Sequence, residues 1–249
     1  MIDDDVTADS LLRGRVRLYQ PARGARMSLD PVLLAGFVKP PYGRFLDIGC
    51  GSGPLSFLLL ATDLDATGVG VEIQRRLAAL AARGAEENGW AERLEIIDGD
   101  VRALGARLGE ASFDLVVTNP PYRTVESSPP SPNLERALAF NEIALRLGEW
   151  VKAAAGAVRR GGRVAAILPA QRSQELSRAL LNGGLRRVRQ RFVCPRAGDP
   201  PSRILIEARR DLGDALVVES VTEEPLIVHE PDGAFTPEVR RMLGEPAGV

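Results

Sequence analysis

From residue 44 onward, short apolar runs alternate with longer amphipathic ones. "RFLDIG" at 44–49 predicts a buried strand, and "GPLSFLLLATD" after it a helix. "ATGVGVEI" at 66–73 predicts a second strand, and the following "QRRLAALAARGAEENG" spaces its apolar residues as one face of a helix does. "RLEIID" at 93–98 reads as a third strand, "VRALGARL" as a short helical segment and "FDLVVT" at 113–118 as a fourth strand. Strands separated by helices imply an α/β fold: a doubly wound, mostly parallel sheet with helices on both faces.

The second half continues the pattern and then breaks it. "RTVESSPPSPN" at 123–133 is rich in Pro and Ser and reads as a surface loop. "LERALAFNEIALRLGEWVKAAAGAV" predicts a long helix stopped by Gly161-Gly162, followed by the strand "RVAAILP" and the helix "QRSQELSRALLNGG". "LRRVRQRFV" and "RILIEARR" then stand as two strands around the turn-prone "CPRAGDPPS", with no helix between them. That arrangement predicts an antiparallel hairpin. The tail adds a strand and a short helix. With no repeat and no linker, the chain reads as one domain from 44 to 249, preceded by an extension of residues 1–43 that packs on it.

Composition narrows the chemistry. The chain has 249 residues, 45% hydrophobic and 26% charged, as ordinary globular proteins are. Its net charge of −1 makes it no polycation. A single histidine, His229, argues against His-based metal sites and His-dependent triads, so no metal is expected. Cys50 and Cys194 lie far apart and form no disulfide framework. The start "MIDDDVTADS" is acidic, unlike a signal peptide, and no apolar run approaches the roughly 20 residues that span a bilayer. The expectation is a cytoplasmic protein with no membrane contact.

The first predicted strand runs into "LDIGCGSG". Gly49, Gly51 and Gly53 allow close approach of backbone to a ligand, and the next helix aims its N-terminus there. The spacing is not the G-x-G-x-x-G of dinucleotide sites. Asp47, just before the glycines, suits a ligand with a cationic or amine-bearing end. Glu72 ends the second strand, where an acidic group can hold both ribose hydroxyls, and Asp100 follows the third, where a carboxylate can accept from an adenine amino group. A tight turn with helix caps would explain each feature singly. Together they point to a nucleoside-bearing ligand.

"LDIGCGSG", "GVEI" and "GDV" at these spacings resemble the first three motifs of class I S-adenosylmethionine-dependent methyltransferases. The resemblance implies a Rossmann-like, seven-stranded sheet with an antiparallel last strand. It also implies S-adenosylmethionine as cofactor, its methionine part passing Gly49 and Gly51, its ribose on Glu72 and its adenine near Asp100.

The fourth strand leaves through Asn119-Pro120-Pro121-Tyr122. The two prolines commit the backbone to one exit direction. The Asn119 amide oxygen and the Pro121 carbonyl offer two acceptors for the N–H groups of a planar amine, while Tyr122 can stack on its ring. Holding both hydrogens helps the nitrogen pyramidalise and aim its lone pair at a sulfonium methyl, with no histidine base required. The tetrapeptide matches the N-P-P-[YF] signature of methyltransferases acting on adenine N6, some guanine N2 and one glutamine amide.

The flanks narrow the resemblance. "LLRGRVRLYQPARGARMSLDPVLLAGFV" is similar to the lead-in of bacterial methyltransferases that modify the adenine 3′ of the anticodon of a valine tRNA. By that comparison Gln20 and Asp30 sit near the cofactor or the base. Where the family carries A-R-H-E after the catalytic loop, this chain has "AFNE", with Asn141 for His. The implied partner is RNA, in particular tRNA. Arg23, Arg26 and Arg123 flank the expected pocket, and Arg187, Arg189 and Arg191 share one face of the late hairpin, as phosphate ligands or as a solvated strand face. Open alternatives at this stage are a protein glutamine-N5 methyltransferase, a ribosomal RNA guanine-N2 or adenine-N6 enzyme, and a cofactor-binding module without turnover. The first lacks its usual N-terminal helical domain here.

Overall fold

The computed structural model describes residues 5–23, 26–103, 109, 111–120, 147–211 and 220–246. The extension supplies an antiparallel hairpin, β1 (Val6–Leu11) and β2 (Val16–Pro21), then α1 (Asp30–Phe37). Next come β3 (Arg44–Ile48), α2 (Pro54–Thr62), β4 (Thr67–Glu72), α3 (Arg75–Glu87), β5 (Leu94–Asp98) and β6 (Phe113–Thr118). The chain continues as α4 (Leu147–Ala157), β7 (Val158–Pro169), α5 (Ser173–Asn182) and the hairpin β8 (Leu185–Arg196) and β9 (Arg203–Arg210). It closes with β10 (Ser220–His229) and α6 (Pro237–Met242).

The sheet runs β10-β8-β9-β7-β6-β3-β4-β5. β3 has parallel neighbours on both sides, β4 and β6, so the winding reverses there and opens a crevice at the carboxyl ends. β9 is antiparallel to both β7 and β8, which makes the last of the seven expected strands the antiparallel one. β10 extends those seven by pairing parallel to β8 at the edge. The continuous apolar runs of β3, β4 and β6 reflect burial on both faces. On one side Leu46, Ile48, Val116 and Val164 pack under α4 and α5, through Trp150, Val151, Leu176 and Leu180. On the other Phe45, Leu115, Val117 and Ala165 pack under α1 and α2, through Leu33, Leu34, Phe57 and Leu59.

The extension is fastened by groups distant in sequence. The Asn88 side chain accepts from the Arg17 backbone N–H (2.8 Å) and donates to its carbonyl (2.7 Å), as a neighbouring strand would. Tyr19 is buried against Leu77 and Leu80 of α3.

One boundary departs from expectation. The helix ends at Ala157, and Gly161-Gly162 lie inside β7 rather than stopping the helix. Val158 pairs with Phe113 and Arg163 with Leu115, so residues 159–162 bulge out of register. A Cβ on Gly162 would come within 2.9 Å of the Arg159 carbonyl and 3.0 Å of the Asp114 carbonyl. Glycine there serves the bulge. The loop expected at 123–133, residues 134–146 of the predicted helix and residues 104–108 lie outside the described residues. Among the described residues, no helix is long and apolar enough to cross a membrane.

Close packing of β3 on β4 rests on a missing side chain. A Cβ on Gly68 would fall 2.2 Å from the ring of Phe45, which is fully buried and has no room to swing. Gly68→Ala should lower stability by about 1–3 kcal/mol by overpacking, read from the urea midpoint. An unchanged midpoint would show that the ring relaxes freely.

Candidate active site

β3 hands the chain to the glycine loop at Ile48. Gly49, Gly51 and Gly53 adopt φ of +73°, +57° and +92°, a region that L side chains rarely enter. Their surroundings differ. A Cβ at Gly53 would strike the Phe57 ring at 2.7 Å, so that glycine answers to packing at the start of α2. A Cβ at Gly49 or Gly51 would meet nothing within 4 Å, so these two leave bare backbone against open space. The Gly49 and Cys50 N–H groups both donate to the Val71 carbonyl (2.8 and 3.1 Å), pinning the loop to β4.

Two buried carboxylates hold this turn. Glu72 accepts from the Gly51 N–H (2.9 Å) with one oxygen and from the Gln74 N–H (2.8 Å) with the other. It bridges the glycine loop to the exit of β4. Asp47, 1% exposed, accepts from the Ser56 hydroxyl at 2.7 Å. Burial pushes the Asp47 carboxyl up to about 7, against the lowering effect of the Ser56 bonds, and the charge of Glu72 adds to the rise. Glu72 is raised as well, chiefly by burial. The Cys50 thiol is pushed far up by burial and by both acids, which leaves it a packing group and no nucleophile. Asp100 shifts the other way: hydrogen bonds from the Arg102 guanidinium hold it ionised. Arg102 makes four contacts to it, two on each oxygen, as many as a carboxylate has acceptor sites, so Asp100 accepts from a further ligand by exchanging one of them.

The end of β6 is latched to the same edge. The Thr118 hydroxyl, buried, donates to the Ile48 carbonyl at 2.8 Å, which fixes the last residue of β6 beside the last residue of β3. Asn119, half-buried, and Pro120, buried, follow directly. Pro121, Tyr122, Arg123 and Asn141 lie outside the described residues. Ser56 and Thr118 escaped the sequence reading. Ser56 lies in the first turn of the helix that follows the glycines, and Thr118 immediately precedes the Asn-Pro step. Those placements were the available signals.

The other expected residues divide. Gln20 is 3% exposed; its amide donates to Asp9 (2.9 Å) and accepts from the Met27 N–H (2.6 Å), tying the hairpin to the lead into α1. Arg26 pairs with Asp9 at 2.9 Å, and Arg23 is exposed. Asp30, 6% exposed, pairs with Arg203 at 3.2 Å. Arg189 and Arg191 do share a face of β8, but it is not a solvated row. Arg189 packs on the Phe37 ring and pairs with Glu223 (2.9 Å), while Arg191 pairs with Glu238 and bonds the Glu224 carbonyl. These pairings brace β8 against β10, α1 and α6. Arg187 lies on the same strand.

The family model described as methyltransferase small domain matches residues 29–134, which span the glycine loop and the Asn-Pro step. Nearly the whole chain is similar to the tRNA1(Val) (adenine(37)-N6)-methyltransferase of Porphyromonas gingivalis, at 30% identity over 237 residues, 92% of this chain and 91% of the relative. The chain belongs to this methyltransferase family. A Bacteroides fragilis protein of the same name is 30% identical over 182 residues, 73% of this chain and 76% of its own length. Among solved structures, a predicted O-methyltransferase from Agrobacterium tumefaciens superposes with a TM-score of 0.69 at 25% identity, covering 86% of this chain and 94% of that one. As a family member the protein is an S-adenosylmethionine-dependent methyltransferase. Its residues fit that cofactor: open space over Gly49 and Gly51, and acids at the ends of β3, β4 and β5 in the crevice.

Asp47 gives the protein a distinctive pH response. Its folded value of about 7 lies above the ordinary 3.8, so between the two the native state keeps a proton that the unfolded chain has lost. That stability is complete below the lower value and is lost as pH rises through the upper one, at up to about 1.4 kcal/mol per pH unit. Asp47→Asn, whose amide oxygen can still accept from Ser56, should flatten the stability profile from pH 4 to about 7, measured by denaturation across pH. An unaltered slope would place the titration elsewhere.

Proposed function

We propose that the protein transfers a methyl group from S-adenosylmethionine to the N6 amine of adenine 37 in tRNA1(Val), the reaction named for its relatives. The observation that supports this most is the position of Asn119-Pro120: it leaves the strand next to the glycine loop, on the same sheet edge, latched there by Thr118. An amine acceptor placed one strand from the cofactor crevice is what in-line transfer to a weak nucleophile requires.

Glu72, already oriented by the Gly51 and Gln74 amides, holds the ribose, and Asp100 accepts from the adenine. Asp47 stands before the loop as the counter-charge to the ammonium of the methionine part, and loses its proton in doing so. The bound cofactor supplies an electrophilic methyl on a sulfonium. Asn119, with the Pro121 carbonyl, accepts hydrogen bonds from the target amine and draws its hydrogens out of the ring plane. Tyr122 stacks on the base, which fixes its approach angle. No histidine is involved, in keeping with a chain whose one histidine, His229, lies at the end of β10 and bonds the Gly233 carbonyl. Arg23 and Arg26, both exposed, and Arg123 from its position in the sequence, are assigned to RNA phosphates. Arg189 and Arg191, braced internally, are assigned to the scaffold.

Unmodified total tRNA incubated with labelled cofactor should gain N6-methyladenosine, mapped to position 37 by nuclease digestion and mass analysis. Asn119→Ala should lower the transfer rate by about 10²–10³-fold, as loss of one preorganised polar contact does, with cofactor affinity retained. Methylation at another base, or a variant as fast as the native protein, would refute the assignment.

A further inference from the structure

Beyond the reacting base, the carboxyl edge carries a buried acid paired with a half-exposed cation, Asp30 and Arg203. Arg203 opens β9 opposite Pro169, the last residue of β7. Its Nε donates to the Asp30 carboxylate at 3.2 Å and one terminal nitrogen donates to the Ser202 carbonyl at 3.1 Å. The Asp30 side chain is 8% exposed and that of Arg203 32%. The backbone beneath is held on two sides, because Ala170 N–H donates to the Ser202 carbonyl (3.2 Å) and Ser202 N–H to the Val193 carbonyl (2.8 Å).

The register locates this pair relative to the chemistry. Thr118 lies opposite Ala166, and Arg203 lies opposite Pro169, three residues further out. That puts Arg203 roughly 10 Å beyond the end of β6 and, two strands over, roughly 10 Å to the side. The cofactor groups sit in the opposite direction, on β3, β4 and β5. Arg203 is therefore too far out to touch the reacting amine and on the wrong side to touch the cofactor. Its distance suits the backbone flanking a base inserted at Asn119.

We infer that Arg203 binds a phosphate of the RNA next to the target nucleotide, and that Asp30 is the residue that orients it. A guanidinium presents five N–H donors in a rigid fork matched to phosphate. A buried carboxylate against the Nε edge fixes the plane of that fork, so no rotamer search accompanies RNA binding. Asp30 then acts through Arg203 rather than on the cofactor. This inference rests on the RNA reading above.

The test is the double variant Asp30→Asn with Arg203→Gln, which removes both charges while keeping a pair of groups able to hydrogen-bond. The expected result is a KM for tRNA about tenfold higher and a log–log salt dependence of tRNA affinity shallower by about one. Cofactor affinity and melting temperature should stay close to native. A native salt slope and KM would overturn the inference and leave the pair as a strut between α1 and β9. Should the double variant fail to fold, Arg203→Lys decides: it keeps the cation but loses the fork, so the slope should persist with KM raised severalfold, and a native KM would overturn the inference. A native protein that binds cofactor yet methylates no tRNA would instead refute the function proposed above.

Discussion

The site depends on a carboxylate shared between two loops. Glu72 closes β4 and reaches back to the Gly51 amide, so the bare backbone of the glycine turn is held at one height above the sheet. Asp47 lies beneath the same turn, buried and bonded to Ser56 at the start of α2. Neither acid has bulk water to solvate its charge, burial raises both, and the charge of Glu72 raises Asp47 further. The crevice is therefore assembled around acids that are costly to ionise alone, an arrangement that favours a ligand bringing its own positive charge.

The remainder of the fold sets what lies around that crevice. The parallel strands bring three acids and the Asn119-Pro120 exit to one edge, because each parallel strand ends at the same side. Thr118 joins the two central strand ends directly. The N-terminal segment reaches that edge from outside, through the Gln20 and Asp9 network and the descent of α1 from Asp30. At the far side, the arginines of β8 spend their charge on Glu207, Glu223 and Glu238, so the added strand β10 and helix α6 are bound to the sheet by ion pairs as well as by apolar contact.

What could be read from the chain follows the range of the interactions. The strands and helices from Arg44 to Thr118 are written in local patterns, since two-sided burial leaves continuous apolar runs. The β8–β9 hairpin was legible for another reason, as two strands around the turn-prone "CPRAGDPPS" with no helix between them. The β1–β2 hairpin was not, because β1 alternates weakly and β2 is held by Asn88 and by Leu77 and Leu80 of α3, distant in sequence. Gly161-Gly162 resembled a helix stop, and only the pairing of Val158 with Phe113 shows a bulged strand start. Glycines and acids of the site were visible as motifs, whereas Ser56, Thr118 and the Asp30–Arg203 pair acquire meaning only when distant strands are set side by side.

The most direct test of the central claim is calorimetric titration of the protein with S-adenosylmethionine at pH 6 in buffers of different ionisation enthalpy. With Asp47 protonated in the free protein and ionised against the ammonium, binding should release about one proton at pH 6 and fewer as pH rises above about 7. The Asp47→Asn protein should release none. Binding heats that are identical in every buffer at pH 6 would show that Asp47 keeps its proton, and the buried acid would then not be the counter-charge on which the site is built.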